Sequence, residues 1–211
     1  MANKLNVNPT RQELLKLKTK LKTAQRGHKL LKEKRDGLMK NFMAIIRQAK
    51  DLREIIERDL GQGFFSFVFS SAKMRRSTIN EALLVPTKKV SLQATTKNVM
   101  GVEVPQFEYT EEGDFLSYDL ATTSTSLDRA LETFSKALKD MVKLAEIEHS
   151  ARLLAVEIEK TRRRVNALEY VFIPDMEETI KYITAKLNEQ ERSAFVALMK
   201  IKDIIAKQEA A

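Results

Sequence analysis

Three consecutive arginines, Arg162, Arg163 and Arg164, stand inside EKTRRRVNALEY (159–170), a segment whose spacing otherwise reads as helix. Glu159 lies three and four residues before the first two, and such intrahelical pairs contribute roughly a few tenths of a kcal/mol. One carboxylate cannot satisfy three guanidinium groups, so the segment calls for something acidic to lie against it. The other residues able to do chemistry offer less. No G-x-x-x-x-G-K-[ST] loop occurs, and Gly61-Gln62-Gly63 is too short for a dinucleotide fingerprint and reads as a helix stop. His28 and His149 fall on separate helices without the spacing of metal ligands. His28 sits on an apolar seam, where a polar residue fixes register at some cost in stability, and His149 reads as a surface residue. EYTEEGD (108–114) reads as a solvated acidic loop. With no Cys, thiol catalysis and cysteine metal sites are excluded. The residues point to a non-enzyme with no cofactor and no metal.

The elements that must position the arginines follow from periodicity. A 3–4 step runs through Leu14, Leu17, Leu21, Ala24, His28, Leu31, Arg35, Leu38, Phe42, Ile45, Ala49, Leu52 and Ile56. Persistence over about six heptads marks a coiled-coil seam. Thr10 with Glu13 forms a capping box at its start. Read to the glycines, the helix is a rod of roughly 75 Å. A second seam starts after the polar loop LATTSTSLD with Leu127, Leu131, Phe134, Leu138 and Met141. It resumes through Leu144, Ile147, Ala151, Leu154, Ile158, Thr161, Val165, Leu168 and Phe172. At Pro174 the phase moves by one residue, to Ile173, Met176, Ile180, Ile183 and Leu187, and proline there kinks or restarts the helix. The helix should reach Ile204 or Ile205.

The middle differs. GFFSFVFSSAKMRRSTINEALLVP reads as a short helix ending before Pro86. KKVSLQATT alternates Val90, Leu92 and Ala94 with polar neighbours, as a half-buried strand does. Lys97-Asn98 serves as a turn, and VMGVEV forms a second strand stopped by Pro105. The fold class is therefore all-α dominated: a long antiparallel two-helix coiled coil with a small head of one short helix and a β-hairpin. The segments are residues 1–60 (N-terminal helix), 61–126 (head) and 127–211 (C-terminal helix). This pairing sets Ala24 near Arg163 and Thr10 near Glu177, so that beyond Pro174 the second helix outruns its partner. Arg26, Lys29 and Lys32 then face the arginine triplet and complete a basic collar.

Charge agrees with the collar. Residues 1–60 carry 16 Lys and Arg against 7 Asp and Glu, while residues 127–211 carry 15 of each. A basic segment suits nucleic acid, anionic lipid or an acidic protein partner. Against nucleic acid, the aromatic residues lie on the seam or in the head and are not interleaved with the basic ones for base stacking. A scaffold or tether is the third reading. MANKLNVNPTRQ lacks the apolar core of a signal peptide, and no run of about 18 apolar residues occurs, so no direct membrane insertion is expected.

The paired motifs NPTR…LLKLKTKL…RGHKLLKEKRD and EIEKTRRRVNALEYVFIP resemble the D subunit of vacuolar/archaeal-type (V-type/A-type) rotary ATPases. The resemblance covers both long helices and the size, while the head is less specific. It implies a central-stalk rotor shaft without catalytic residues of its own. It implies as partners the catalytic A and B subunits (three of each), the small F subunit of the stalk, and the funnel-shaped subunit above the membrane ion rotor. It implies a peripheral position on the cytoplasmic face of the membrane, and proton or sodium transport by the whole complex. On it, Arg162, Arg163, Arg164, Arg26, Lys29 and Lys32 are expected to contact the ring. Lys88, Val90, Leu92, Val102 and Val104 mark the hairpin as a coupling element or a docking place for a stalk partner.

Overall fold

A computed structural model describes residues 6–114, 118 and 123–209. Helix α1 spans Arg11–Lys73, α2 Arg76–Ala82, α3 Thr125–Ala167 and α4 Ile173–Glu209. Strands β1 (Lys89–Val99) and β2 (Val102–Glu112) form one antiparallel hairpin. A π turn, Leu168–Phe172, joins α3 to α4 without a break in helical hydrogen bonding. The all-α-dominated coiled coil with a short helix and a hairpin is thus the architecture observed. By its contacts the chain divides into one unit of Met1–Asp36 with Glu159–Ala211 and another of Gly37–Ile158.

In the first unit, Thr10 starts α1. Its hydroxyl accepts the Glu13 N–H at 3.3 Å, and its carbonyl accepts the Leu14 N–H. Leu17 packs with Met176 and Ile183, and Leu14, Leu21, Ala24, Ile180 and Leu187 close around them. Burying Leu17 and Ile183 contributes about 1.5–3 kcal/mol each, which is what holds two helices with mostly polar outer faces together. The pairing is antiparallel: Arg11 meets Glu191, while His28 meets Glu169. Past the last of these contacts, Phe195, Leu198, Met199, Ile201 and Ile204 are exposed.

The π turn explains the shift in phase at Pro174. The Ile173 N–H reaches back five residues to the Leu168 carbonyl. One residue is thereby inserted, and the seam that ran Ile158, Thr161, Val165 and Leu168 resumes at Ile173 and Met176. Proline has no N–H and clashes with the carbonyl four residues before it, and a widened turn relieves both problems. Phe172, which the uninterrupted period would bury, is exposed.

In the second unit, Leu38, Leu154 and Ile158 form a core that Phe42, Ile45 and Val102 join. Arg53 pairs with Glu148, and the Phe64 ring meets Phe134 edge-on with centroids 5.2 Å apart. Here too the helices run antiparallel. At the start of α3, the Ser124 carbonyl accepts the Leu127 N–H, and Tyr118 donates to Asp128 at 2.6 Å. Burial first, then that carboxylate, raises the Tyr118 pKa above the ordinary tyrosine value. Residues 120–122 of the polar loop and residues 1–5 lie outside the described residues.

Several expectations are corrected. Gly61 and Gly63 do not stop α1, which continues to Lys73. Gly63 is buried beneath Phe134, where the absent side chain admits the aromatic ring. Ending the helix at the glycines also misplaces the pairing. His28 lies opposite Glu169 and Arg11 opposite Glu191, so Thr10 is nowhere near Glu177, and α4 stays partnered well beyond Pro174. The hairpin turn is Met100-Gly101, not Lys97-Asn98. Both turn residues have positive φ (52° and 86°), as a tight two-residue turn demands. Pro105 lies within β2, and EYTEEGD is mostly strand through Glu112. Val90 and Leu92 are exposed at 44 % and 49 %, on a strand exposed from Lys89 to Asn98, whereas β2 buries Val104.

Candidate contact surfaces

Thr161 and Val165 are buried on the seam, at relative exposures of 1 % each. Arg162, Arg163 and Arg164 fill the three positions between them, and all three are exposed. That spacing is what turns a run of like charges outward: any side chain between consecutive seam positions must leave the helix interface. Arg163 pairs with Glu159 one turn back. Arg162 and Arg164 have no ion pair among the described residues.

Arg26, Lys29 and Lys32 are exposed on α1. They flank His28, whose Nε2 lies 3.4 Å from the Glu169 carboxylate on the π turn. Glu169 stands five to seven residues beyond the triplet in the sequence, roughly 8–10 Å along a helix. Because the helices run antiparallel, Lys29 and Lys32 lie one and four residues along α1 from His28 in the direction of the triplet, and Arg26 two residues in the opposite direction. Beside them, Leu15, Thr19, Thr23, Ala24 and Gly27 of α1 and Leu168 line an open, mostly apolar groove.

The hairpin is strapped down by its base, its second strand and its tip. The Lys88 ammonium contacts the Ser135 hydroxyl and the Glu111 carboxylate, the latter at 2.6 Å. Lys88 first, then Tyr109, holds the Glu111 carboxyl below the usual carboxylate range. Burial, then Glu111, pushes the Tyr109 phenol up to about 12. Further along, the Phe107 N–H donates to Glu146 Oε2 at 3.0 Å. At the tip, Asn41 donates to the Met100 sulfur at 3.5 Å, and the Met100 side chain lies over Gly37. Val102 joins the Leu38 core, and Val104 is buried at 7 % exposure. Of the hairpin residues singled out from sequence, Lys88, Val102 and Val104 are thus engaged within the chain. Val90 and Leu92 are free to meet another molecule.

Sequence reasoning misses the end of α1 as a surface. Phe64, Phe65, Val68 and Phe69 remain exposed there, although FFSFVF reads as part of a separate head. The signal is available: Phe64, Val68 and Phe65, Phe69 repeat at four residues, a helical spacing. Among the described residues no cluster of His, Cys, Asp and Glu could hold a metal ion, and no helix is long and apolar enough to cross a membrane.

Long helices paired antiparallel in each unit, a hairpin fastened to the helices in one and exposed basic side chains on the helices of the other define a coiled-coil protein. Its sequence matches the family of the ATP synthase D subunit over residues 13–203. It is 50 % identical over 208 residues to the V-type ATP synthase D subunit of Clostridioides difficile (strain 630), covering 97 % of this chain and 94 % of that one. It is 49 % identical over 208 residues to the V-type ATP synthase D subunit of Acetivibrio thermocellus, with the same coverage of 97 % and 94 %. To that of Clostridium novyi (strain NT) it is 45 % identical over 211 residues, 98 % of each chain. The chain belongs to the ATP synthase D-subunit family.

Proposed function

We propose that this protein is the non-catalytic central-stalk shaft of a V/A-type rotary ATPase. It couples ATP hydrolysis or synthesis in a ring of three A and three B subunits to proton or sodium transport through the membrane rotor. The similarity to the D subunit of V-type ATP synthases along nearly the whole chain is the observation that carries this reading. The physics agrees with it. A rotor must be stiff in torsion, and continuous seam packing supplies stiffness. It must also exchange contacts among three equivalent neighbours. Exposed arginines suit exchange, because a planar guanidinium can hold a carboxylate bidentately and re-form the contact elsewhere.

The small F subunit and the funnel-shaped subunit above the membrane rotor are the further partners, and the complex sits on the cytoplasmic face as a peripheral assembly. Purification through a tag on this chain tests the reading. A ring of large subunits with one small subunit, turning under ATP when the shaft carries a bead, is the expected result. A chain that elutes without them and is retained on nucleic acid at physiological salt would sink it.

A further inference from the structure

The two edges of the hairpin are not alike. In an antiparallel pair, residues directly opposite either exchange both backbone hydrogen bonds or turn both outward. The Phe107 N–H points away from β1, toward Glu146, so its partner Ala94 also turns its backbone outward. Alternation then places Val90, Leu92, Ala94, Thr96 and Asn98 with outward N–H and C=O groups. The outer edge of β2 is interrupted: Glu146 takes one donor, and Pro105, opposite Thr96, has none to offer. The outer edge of β1 is open. Every residue from Lys89 to Asn98 is exposed, and among the described residues no element outside the hairpin bonds to these groups. An open edge of this length invites pairing with another chain, and lysines, here Lys89 and Lys97 near its two ends, deter every strand but one that brings opposite charge.

We infer that the outer edge of β1 is a docking site for an extended, acidic segment of a partner protein, which adds a third strand to the hairpin. Charge selects this occupant. β1 carries Lys89 and Lys97 and no acidic residue, whereas β2 carries four glutamates and no basic residue. Neither lysine has an ion pair among the described residues, and the two are eight residues apart, roughly 27 Å along a strand. A second copy of this chain would offer another lysine-bearing β1, or a β2 edge interrupted at Pro105 and Phe107. Main-chain bonds would supply the attachment, and carboxylates near Lys89 and Lys97 would fix its register. The inference rests on the stalk reading for the presence of a permanent neighbour in the complex.

Amide hydrogen exchange of the full chain, free and in the complex purified through it, provides the test. In the free chain, the amides of Val90, Leu92, Ala94 and Thr96 should exchange fast and those of Ser91, Gln93 and Thr95 slowly. In the complex, the fast set should slow by about tenfold or more. Ala94→Pro, which removes one outward donor as Pro105 does on β2, should abolish that slowing on either side of it. Gln93→Pro, which breaks the hairpin itself, reports the effect of losing the fold. Assembly with the ring while the alternate amides stay fast overturns the docked strand and leaves the stalk reading intact. Protection by a protein unrelated to a rotary ATPase supports the strand and overturns the stalk. A chain that assembles with nothing overturns both.

Discussion

A β-carbon built on Gly63 would lie 2.9 Å from the ring of Phe134. The ring also meets Phe64 edge-on, a contact that swinging away would break. Helix α1 therefore carries a glycine in its interior at a place where the facing helix needs the room.

Alanine substitution should separate this glycine from its neighbour. Overpacking costs about 1–3 kcal/mol and the gain in helix propensity is about 1 kcal/mol, so Gly63→Ala should destabilise by about 1 kcal/mol. Gly61 has open space around it. Gly61→Ala should stabilise by up to about 1 kcal/mol through propensity alone. Denaturant unfolding of the two variants checks the opposite signs. Equal shifts in one direction would show that Phe134 imposes no constraint.

Pro174→Ala should leave the phase of α4 unchanged. Turning the helix by one residue would expose Met176 and Ile183, at about 1.5–3 kcal/mol for each large apolar side chain. The π turn is thus held by what lies beyond it, with proline as an accommodated guest. Cysteines substituted for Met176 and Ile183 in the Pro174→Ala background should remain slow to react with a thiol reagent. Rapid labelling at both would show that proline sets the phase.

The hairpin base should respond to pH at both extremes. The folded-state pKa of Tyr109, about 12, lies above its ordinary 10.0. Its burial therefore favours the native hairpin fully below pH 10, and that contribution is lost as pH climbs toward 12. Phenolate absorbance should show two late-titrating tyrosines, Tyr109 and Tyr118, and Tyr109→Phe should remove one of them. The lowered pKa of Glu111 acts in the other direction. Its contribution is present above the ordinary carboxylate pKa and lost as pH falls through the lowered one. Lys88→Met should shrink that acid-side loss, leaving the part due to Tyr109; an unaltered acid limb of the unfolding curve would refute the role of the pair.

Replacing Arg162, Arg163 and Arg164 together with alanine should barely move the unfolding midpoint. The one ion pair the triplet makes among the described residues, Arg163 with Glu159, is exposed, and such pairs contribute little, roughly 0.3–0.5 kcal/mol. Affinity for the ring and torque should fall, and the loss should shrink as salt is raised, because added ions already screen the contacts in the parent. Lysine at the same positions should restore part of the function. A triple variant that binds and turns like the parent at every salt concentration would reduce the triplet to a solvated helix face.

What can be read in the sequence is whatever depends on period. Each seam residue from Leu14 to Ile56 is buried or half-buried, and the one-residue shift at Pro174 is visible without the π turn that causes it. What cannot be read depends on partners distant in the chain. A glycine beneath an aromatic ring and a glycine ending a helix look the same in one dimension, so Gly63 misplaces the end of α1 and, with it, the pairing of His28. Alternation in β1 says that one face differs from the other. It does not say that Val90 and Leu92 lie exposed while Val102 and Val104 meet the helices. The exposed basic residues are legible as charge, and their pairing across the two helices is not.

The π turn also bears on how this chain tolerates changes in length. Everywhere else along the paired helices, adding or losing one residue rotates all that follows by about 100° and pulls a seam out of contact. Between Leu168 and Phe172 the helix already holds a surplus residue. A single-residue deletion in α3 could therefore be absorbed there by tightening the turn, and a deletion in α4 beyond Met176 could not. The seam before the turn and the seam after it are in this sense separately phased, and the joint between them lies beside Glu169, where α1 presents His28.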